Sequence, residues 1–147
     1  MSEVRPAIIV SACLLGVACN HRGLNSPSAA VAALADEARL IPICPEVAGG
    51  LPTPRAPAEI QRDERVRTAD GTDVTDAYIR GANQAVDVAR AAGATRAVLK
   101  ARSPSCGCHD VYDGTFTRTL RPGLGVTAAA LQAAGCEVMS DEDLVGS

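Results

Sequence analysis

The sequence predicts an α/β fold with a Rossmann-like, doubly wound and mainly parallel sheet and helices on both faces. Apolar runs of strand length alternate with Ala-rich segments of helical period in the order β-α-β-α-β-α-β. This alternation is typical of a parallel sheet covered by helices, joined by right-handed crossovers. The 147 residues, of which 47% are hydrophobic, predict a single domain over 1–147.

The first half of the chain predicts two strands and one helix. Residues 7–12 form a continuous β-rich run, as expected of a strand buried on both faces. Ser26 and Pro27 resemble an N-cap and a first helical residue. A short second strand over 40–43 then runs into the segment 42–57, where five prolines and a Gly-Gly pair predict irregular structure.

The second half begins with a helix whose apolar residues fall on one face. Thr75 is the predicted N-cap of this helix, and Gly93 is a fitting stop. A polar passage with a turn precedes it. The remaining predicted elements are a third strand over 96–101, a small hairpin or turn within 111–118, a helix over 127–134 and a fourth strand over 136–139.

Charge and composition exclude several function classes. The formal net charge is -3, and the basic residues are scattered rather than grouped, which argues against a strong nucleic-acid surface. One Phe, two Tyr and no Trp leave little for stacking on bases. The N-terminal apolar run lacks a basic leader and is too short for a membrane span. We therefore expect a cytoplasmic protein, away from membranes, that binds a small ligand.

The chain contains six cysteines, which a reducing compartment would keep from forming disulfides. Clustered thiols in such a setting favour metal binding or catalysis. The cysteines are Cys13, Cys19, Cys44, Cys106, Cys108 and Cys136.

Three of these cysteines follow predicted strands. Cys13 follows the first strand, Cys44 ends the second, and Cys106 lies shortly past the third. Because ligands bind beyond the carboxyl ends of the strands in doubly wound sheets, the three thiols are expected to meet in one crevice. The residues alone leave open a structural metal, a catalytic zinc completed by His21 or His109, an iron-sulfur cluster, or inert buried thiols.

Five sequence motifs carry a resemblance to a known family. SACLLGVAC, CPEVAGGLPTPR, KARSPSCG, YDGTF and GVTAAAL occur in this order over nearly the entire chain. With them the sequence resembles the thiouracil desulfidase family. The resemblance implies that Cys13, Cys44 and Cys106 bind a 4Fe-4S cluster with one iron not ligated by protein. It further implies that Glu46 and Ser103 act on the substrate as catalytic residues.

The implied activity is removal of sulfur from a thiolated pyrimidine, either thiouracil or a small thiouridine nucleotide. Non-redox hydrolysis would give the oxo base and sulfide, and the iron-sulfur assembly machinery would be a partner. Two alternatives belong to other classes. One is a sulfide or Fe-S cluster carrier without catalysis, and the other is a thiol-redox enzyme that uses Cys106 and Cys108.

Four further residues near these motifs have interpretations of their own. Arg55 either faces an anionic or carbonyl group of the ligand or pairs with Glu59 on the surface. Lys100 ends a buried strand and is expected at the rim of the crevice. Cys19 is interpreted as a packing thiol near the site, and Cys108 as a partly exposed bystander.

Overall fold

The computed structural model describes residues 5–145, which form eight strands and five helices in this range. The strands are β1 (Ala7–Ser11), β2 (Arg39–Ile43), β3 (Ala58–Ile60), β4 (Val66–Thr68), β5 (Arg96–Leu99), β6 (Asp110–Tyr112), β7 (Leu120–Pro122) and β8 (Glu137–Ser140). The helices are α1 (Ala29–Ala33), α2 (Pro45–Ala48), α3 (Thr75–Ala92), α4 (Val126–Ala133) and α5 (Asp141–Val145), with 3-10 turns at Ala12–Leu15 and Leu34–Asp36.

A four-stranded sheet in the order β2-β1-β5-β8 forms the centre of the structure. Every pair of neighbouring strands in it is parallel. These four strands are the four that the sequence predicts, and the α/β fold with a mainly parallel sheet is confirmed. Because the strands share one direction, their carboxyl ends all lie at the same edge of the sheet.

Both faces of the sheet are covered, as the unbroken apolar run of β1 requires. Ile8 and Val10 pack on one face with Val31 of α1, whereas Ile9 packs on the other with Ala85 of α3 and Leu131 of α4. Successive residues of a strand point to opposite faces, so a strand covered on both sides needs apolar residues throughout. None of the helices described in residues 5–145 is long and apolar enough to cross a membrane.

The first helix begins later than the sequence predicts. Ser28, not Ser26, is the N-cap of α1, and its hydroxyl accepts a hydrogen bond from the Val31 amide at 3.3 Å. Pro27 therefore lies before the helix. At the other end of the chain Thr127 is a buried residue inside α4, and Gly125 is the N-cap. The first stretch offers two capping hydroxyls, Ser26 and Ser28, and the glycine N-cap of α4 has no side chain that would mark it in the sequence.

The proline-rich segment contains more regular structure than expected. Pro42 is part of β2, which is an edge strand of the sheet, where a missing amide donor is tolerated. Pro45 opens α2 at the first helical position, directly after Cys44. The prediction of irregular structure is therefore wrong for these two short pieces and holds between α2 and β3.

Two antiparallel hairpins lie outside the central sheet. The β6-β7 hairpin is the one predicted around the turn within 111–118. The β3-β4 hairpin lies where the sequence predicts only a polar passage. Each of its strands has three residues, and their buried residues Ile60 and Val66 alternate with Glu59 and Arg67. Strands this short carry too little pattern for prediction.

Helices α2 and α3 contact each other through backbone atoms at two glycines. A Cβ atom on Gly81 would lie 1.8 Å from the Pro45 carbonyl oxygen, and one on Gly49 would lie 1.9 Å from the Ala77 carbonyl oxygen. The Arg80 guanidinium donates to the Gly49 carbonyl at 3.0 Å. The absence of side chains at both glycines thus lets α2 lie directly on α3.

Replacing Gly81 with alanine is expected to lower the free energy of unfolding by about 1–3 kcal/mol, the usual cost of overpacking. Alanine favours a helix interior by up to about 1 kcal/mol over glycine, but the clash here is with backbone, which cannot rotate away. Urea denaturation measures the change, with Gln84→Ala on the exposed face of α3 as the control. Unchanged or greater stability of the Gly81→Ala variant would contradict this contact.

Candidate active site

The three strand-end cysteines line one cavity at the carboxyl edge of the sheet. Cys13 lies in the 3-10 turn after β1, Cys44 directly follows β2, and Cys106 lies in the loop between β5 and β6. They reach the same cavity of about 630 Å³, together with the other two predicted site residues, Glu46 and Ser103. The structure therefore brings together the three predicted ligands and the two predicted catalytic residues.

The spacing of the three thiols suits a group larger than a single ion. All three cysteines are free, and within residues 5–145 their sulfur atoms do not all lie within 4.8 Å of one another. Bonds of about 2.3 Å to one zinc would hold the sulfurs about 3.8 Å apart. An iron-sulfur cluster binds each cysteine through a different iron and needs a wider triangle.

Burial keeps the Cys13 and Cys106 thiols protonated unless a cation is present. Burial is the main cause that raises the pKa of the Cys106 thiol to about 12, and it also raises the pKa of the Cys13 thiol, with Cys44 adding to the effect. Thiolates in such a place need a positively charged centre beside them. The donor set therefore fits an iron-sulfur cluster held by Cys13, Cys44 and Cys106.

The Cys106 loop is shaped by contacts of its backbone. The Ser103 hydroxyl accepts hydrogen bonds from the Ser105 and Cys106 amides, both at 3.1 Å. The amide of Gly125 donates to the Gly107 carbonyl at 2.7 Å. A Cβ atom on Gly125 would lie 2.6 Å from the Ser105 carbonyl oxygen, so α4 begins directly against this loop.

Glu46 is held across the cavity by an ion pair. Its Oε1 accepts from the Arg55 Nε at 2.9 Å, and the two side chains are only 13% and 6% exposed, respectively. The Nη2 atom of Arg55 donates to the Cys19 carbonyl at 2.8 Å, and the same atom lies 3.8 Å from the Cys44 sulfur. Of the two interpretations of Arg55, pairing with Glu59 is wrong, because Glu59 binds the amides of Gly114 and Phe116.

A chain of three hydrogen-bonded side chains runs from Ser103 to Glu46. The Ser103 and Ser105 hydroxyls are 2.9 Å apart, and Ser105 donates to the Glu46 Oε2 at 3.0 Å. Ser105 is also 3.6 Å from the Cys106 sulfur. Glu46 is thus connected to the cysteine loop through Ser105.

Tyr78 completes the wall behind Glu46. It is a buried residue of α3 that lines the cavity. Burial, and next the nearby Glu46 carboxylate, raise the pKa of the Tyr78 hydroxyl, so the group stays protonated and can donate. The sequence gives no prediction of Ser105 or Tyr78 as site residues, and it predicts Arg55 near the ligand without its partner Glu46.

The other cysteines and Lys100 have distinct surroundings. Lys100 lines the cavity as predicted. Cys19 is buried beside Cys44 and also lines the cavity. Cys136 packs at the opposite edge of the sheet, with its sulfur 3.5 Å from the Ala94 carbonyl. Cys108 lies close to His109 and Asp143.

A parallel α/β sheet whose strand ends bring three free thiols, a carboxylate and an arginine to one cavity defines the class: an α/β protein with a thiol-rich small-molecule site. The family model of 2-thiouracil desulfurase matches residues 8–143. The chain belongs to this family.

Two relatives cover nearly the whole chain. The uncharacterized protein YbbK of Bacillus subtilis (strain 168) is 40% identical over an alignment of 146 positions that covers 93% of this chain and 97% of that protein. The solved structure of the [4Fe-4S]-dependent thiouracil desulfidase TudS is 44% identical, with a TM-score of 0.89 over 97% of this chain and 95% of that one. The predicted family is confirmed, and with it the expectation of an enzyme of the thiouracil desulfidase class.

Proposed function

We propose that this chain removes sulfur from a thiolated pyrimidine by hydrolysis, with a 4Fe-4S cluster bound through Cys13, Cys44 and Cys106. The observation that carries the proposal is the meeting of these thiols with Glu46 at one cavity. When bound, a cluster with one iron free of protein ligands supplies a Lewis acid for the substrate sulfur. The solved relative is named for its [4Fe-4S] dependence, which supports this cofactor.

The reaction exchanges sulfur for oxygen without electron transfer. A water oxygen forms a bond to the ring carbon, the carbon-sulfur bond breaks, and the water protons leave with the sulfur as hydrogen sulfide. The oxidation state of the carbon is unchanged. The protein must therefore accept a proton from water and return a proton to the departing sulfur or to a ring nitrogen.

Glu46 is the residue best placed to move that proton. Oε1 is held by Arg55 and Oε2 by Ser105, so the carboxylate has a fixed direction at the cavity wall. Fixed orientation of an acid-base group within hydrogen-bond reach is the first requirement for proton transfer. Ser105 and Ser103 extend the path and let a proton pass between Glu46 and the substrate side of the cysteine loop.

The cavity favours a small polar substrate. It is lined by Arg22, Arg118 and Lys100 besides the catalytic groups. Cationic walls suit the exocyclic carbonyl oxygen of a thiouracil or the anionic group of a small thiouridine nucleotide. The iron-sulfur assembly machinery is the partner that would load the cluster.

Anaerobic purification followed by iron and acid-labile sulfide analysis tests the proposal. The protein is expected to contain about four irons and four sulfides per chain and to release sulfide and uracil from 2-thiouracil or 4-thiouracil. One zinc per chain without sulfide would overturn it. A protein that holds the cluster yet leaves both thiouracils intact would be a carrier.

Ser105→Ala and Ser103→Ala are expected to separate proton transfer from loop support. Both variants interrupt the hydroxyl path and should lower turnover per bound cluster at least about tenfold. Only Ser103→Ala also removes the acceptor for two loop amides, so only this variant should lose cluster faster on dilution. Turnover normalised to iron content measures the first effect, and the decay of the cluster absorbance measures the second. Full turnover in Ser105→Ala would exclude the path.

A further inference from the structure

A second group of metal-ligand side chains lies outside the cavity. Cys108 and His109 follow the Cys106 loop, and Asp143 projects from α5. One ligand atom from each of the three lies within 4.8 Å of the other two. Among residues 5–145, no other group of three or more cysteine, histidine and carboxylate side chains meets this distance.

The three side chains are already oriented toward one another. The His109 Nε2 is 2.8 Å from one Asp143 oxygen and 3.0 Å from the other. Asp143 is held in place by the Ser140 amide, which donates to it at 2.8 Å. The His109 carbonyl accepts from the Gly123 amide at 3.2 Å, so the loop is fixed on both sides of the group.

We propose that Cys108, His109 and Asp143 form a second metal site, which binds one divalent transition ion of the zinc class separately from the cluster. Sulfur, imidazole nitrogen and carboxylate oxygen are the three donor types that zinc uses in proteins. Three protein ligands leave a fourth position for water. Tetrahedral bonds of about 2.0–2.3 Å place ligand atoms roughly 3.3–3.8 Å apart. To bind the ion, the ligand atoms must therefore move by about 1 Å, which the exposed side chains of His109 and Asp143 allow.

The charge around Cys108 favours a cation at this place. Three carboxylates, those of Asp143, Asp141 and Asp110, act on the Cys108 sulfur. A divalent ion would offset this negative charge and take the sulfur as thiolate. The only cation in the group itself is the imidazolium that His109 forms when protonated.

A bound ion would join two parts of the chain that are distant in sequence. It would link the segment that carries Cys106 to α5, which follows the last strand of the sheet. Binding to the folded state alone stabilises that state by mass action. Zinc should therefore raise the melting temperature of the cluster-loaded protein.

Cobalt titration of the anaerobic, cluster-loaded protein tests the site, because the cluster already occupies Cys13, Cys44 and Cys106. Difference spectra are expected to show four-coordinate cobalt bands with a sulfur-to-cobalt charge-transfer band, saturating at one ion per chain and displaced by zinc. Cys108→Ser should abolish the charge-transfer band. His109→Ala and Asp143→Asn should each weaken cobalt binding at least about tenfold.

His21→Ala is the matched control, since His21 is the only other histidine and is also exposed. This variant should bind cobalt as the parent protein does. Equal binding by His109→Ala and His21→Ala would overturn the proposal, as would no binding or a bound cobalt without a sulfur ligand. Because the protein is already loaded with the cluster, cobalt cannot bind at the cluster site. The absorbance of the cluster shows that it stays intact during the titration.

Discussion

Glu46→Gln is expected to lower desulfuration at least about 100-fold while iron and sulfide content stay unchanged. Glutamine keeps the shape of the side chain and can still meet Ser105, but it cannot accept and return a proton. Loss of a positioned acid-base group costs about 10²–10⁴ in rate. Sulfide release from thiouracil, divided by the cluster content of each preparation, measures the effect.

The same substitution also leaves Arg55 without its carboxylate partner. Removing one member of a buried pair costs about 3–5 kcal/mol at full burial, and this pair is close to that limit with 13% and 6% exposure. Activity must therefore be measured well below the melting temperature of the variant. Glu46→Asp keeps the charge and serves as a second variant, and Glu37→Gln on the exposed surface is the control. Normal turnover in Glu46→Gln would remove Glu46 from the chemistry.

Serine in place of Cys13, Cys44 or Cys106 is expected to remove the cluster and bring desulfuration to background in each case. A hydroxyl is a poor ligand for iron of a cluster, so each serine leaves one iron without its protein ligand. Iron content, acid-labile sulfide and the visible absorbance of the cluster are the measurements.

Cys136→Ser is the matched control for this series. Cys136 is buried like Cys13 and Cys106, but it lies at the opposite edge of the sheet, and the Ala94 carbonyl can accept the new hydroxyl. It should keep its full iron content. If a serine variant of Cys13, Cys44 or Cys106 retained the complete cluster, that residue would be excluded as a ligand. If Cys136→Ser also lost the cluster, the losses in the series would reflect general instability instead.

The meeting of the three thiols could be predicted because it depends only on the direction of the strands. A parallel sheet puts the residues after each strand at one edge, whatever the loops do. The roles of Glu46 and Ser103 come from the family resemblance and stay predictions. The Glu46→Gln variant tests the first, and the Ser103→Ala and Ser105→Ala variants test the second.

The partners of Glu46 could not be predicted, because they depend on side-chain directions within loops. Arg55 reaches Glu46 from the proline-rich segment, and Ser105 reaches it from the loop after β5. Spacing along the sequence does not fix either direction. Ser105 does have one signal in the sequence, its place directly before Cys106, but adjacency alone does not show which way its hydroxyl points.

The start of α4 has a consequence for how the protein acquires its cofactor. Gly125 and the amides around it hold the Ser105–Cys106 backbone through contacts that involve no metal. A domain such as a zinc finger folds around its ion, so its ligand loops are unformed beforehand. Here the Cys106 thiol would already be in position for the proposed cluster. We expect this loop of the apoprotein to have its final conformation before a complete cluster binds. Little conformational entropy would then be lost at the loop on binding.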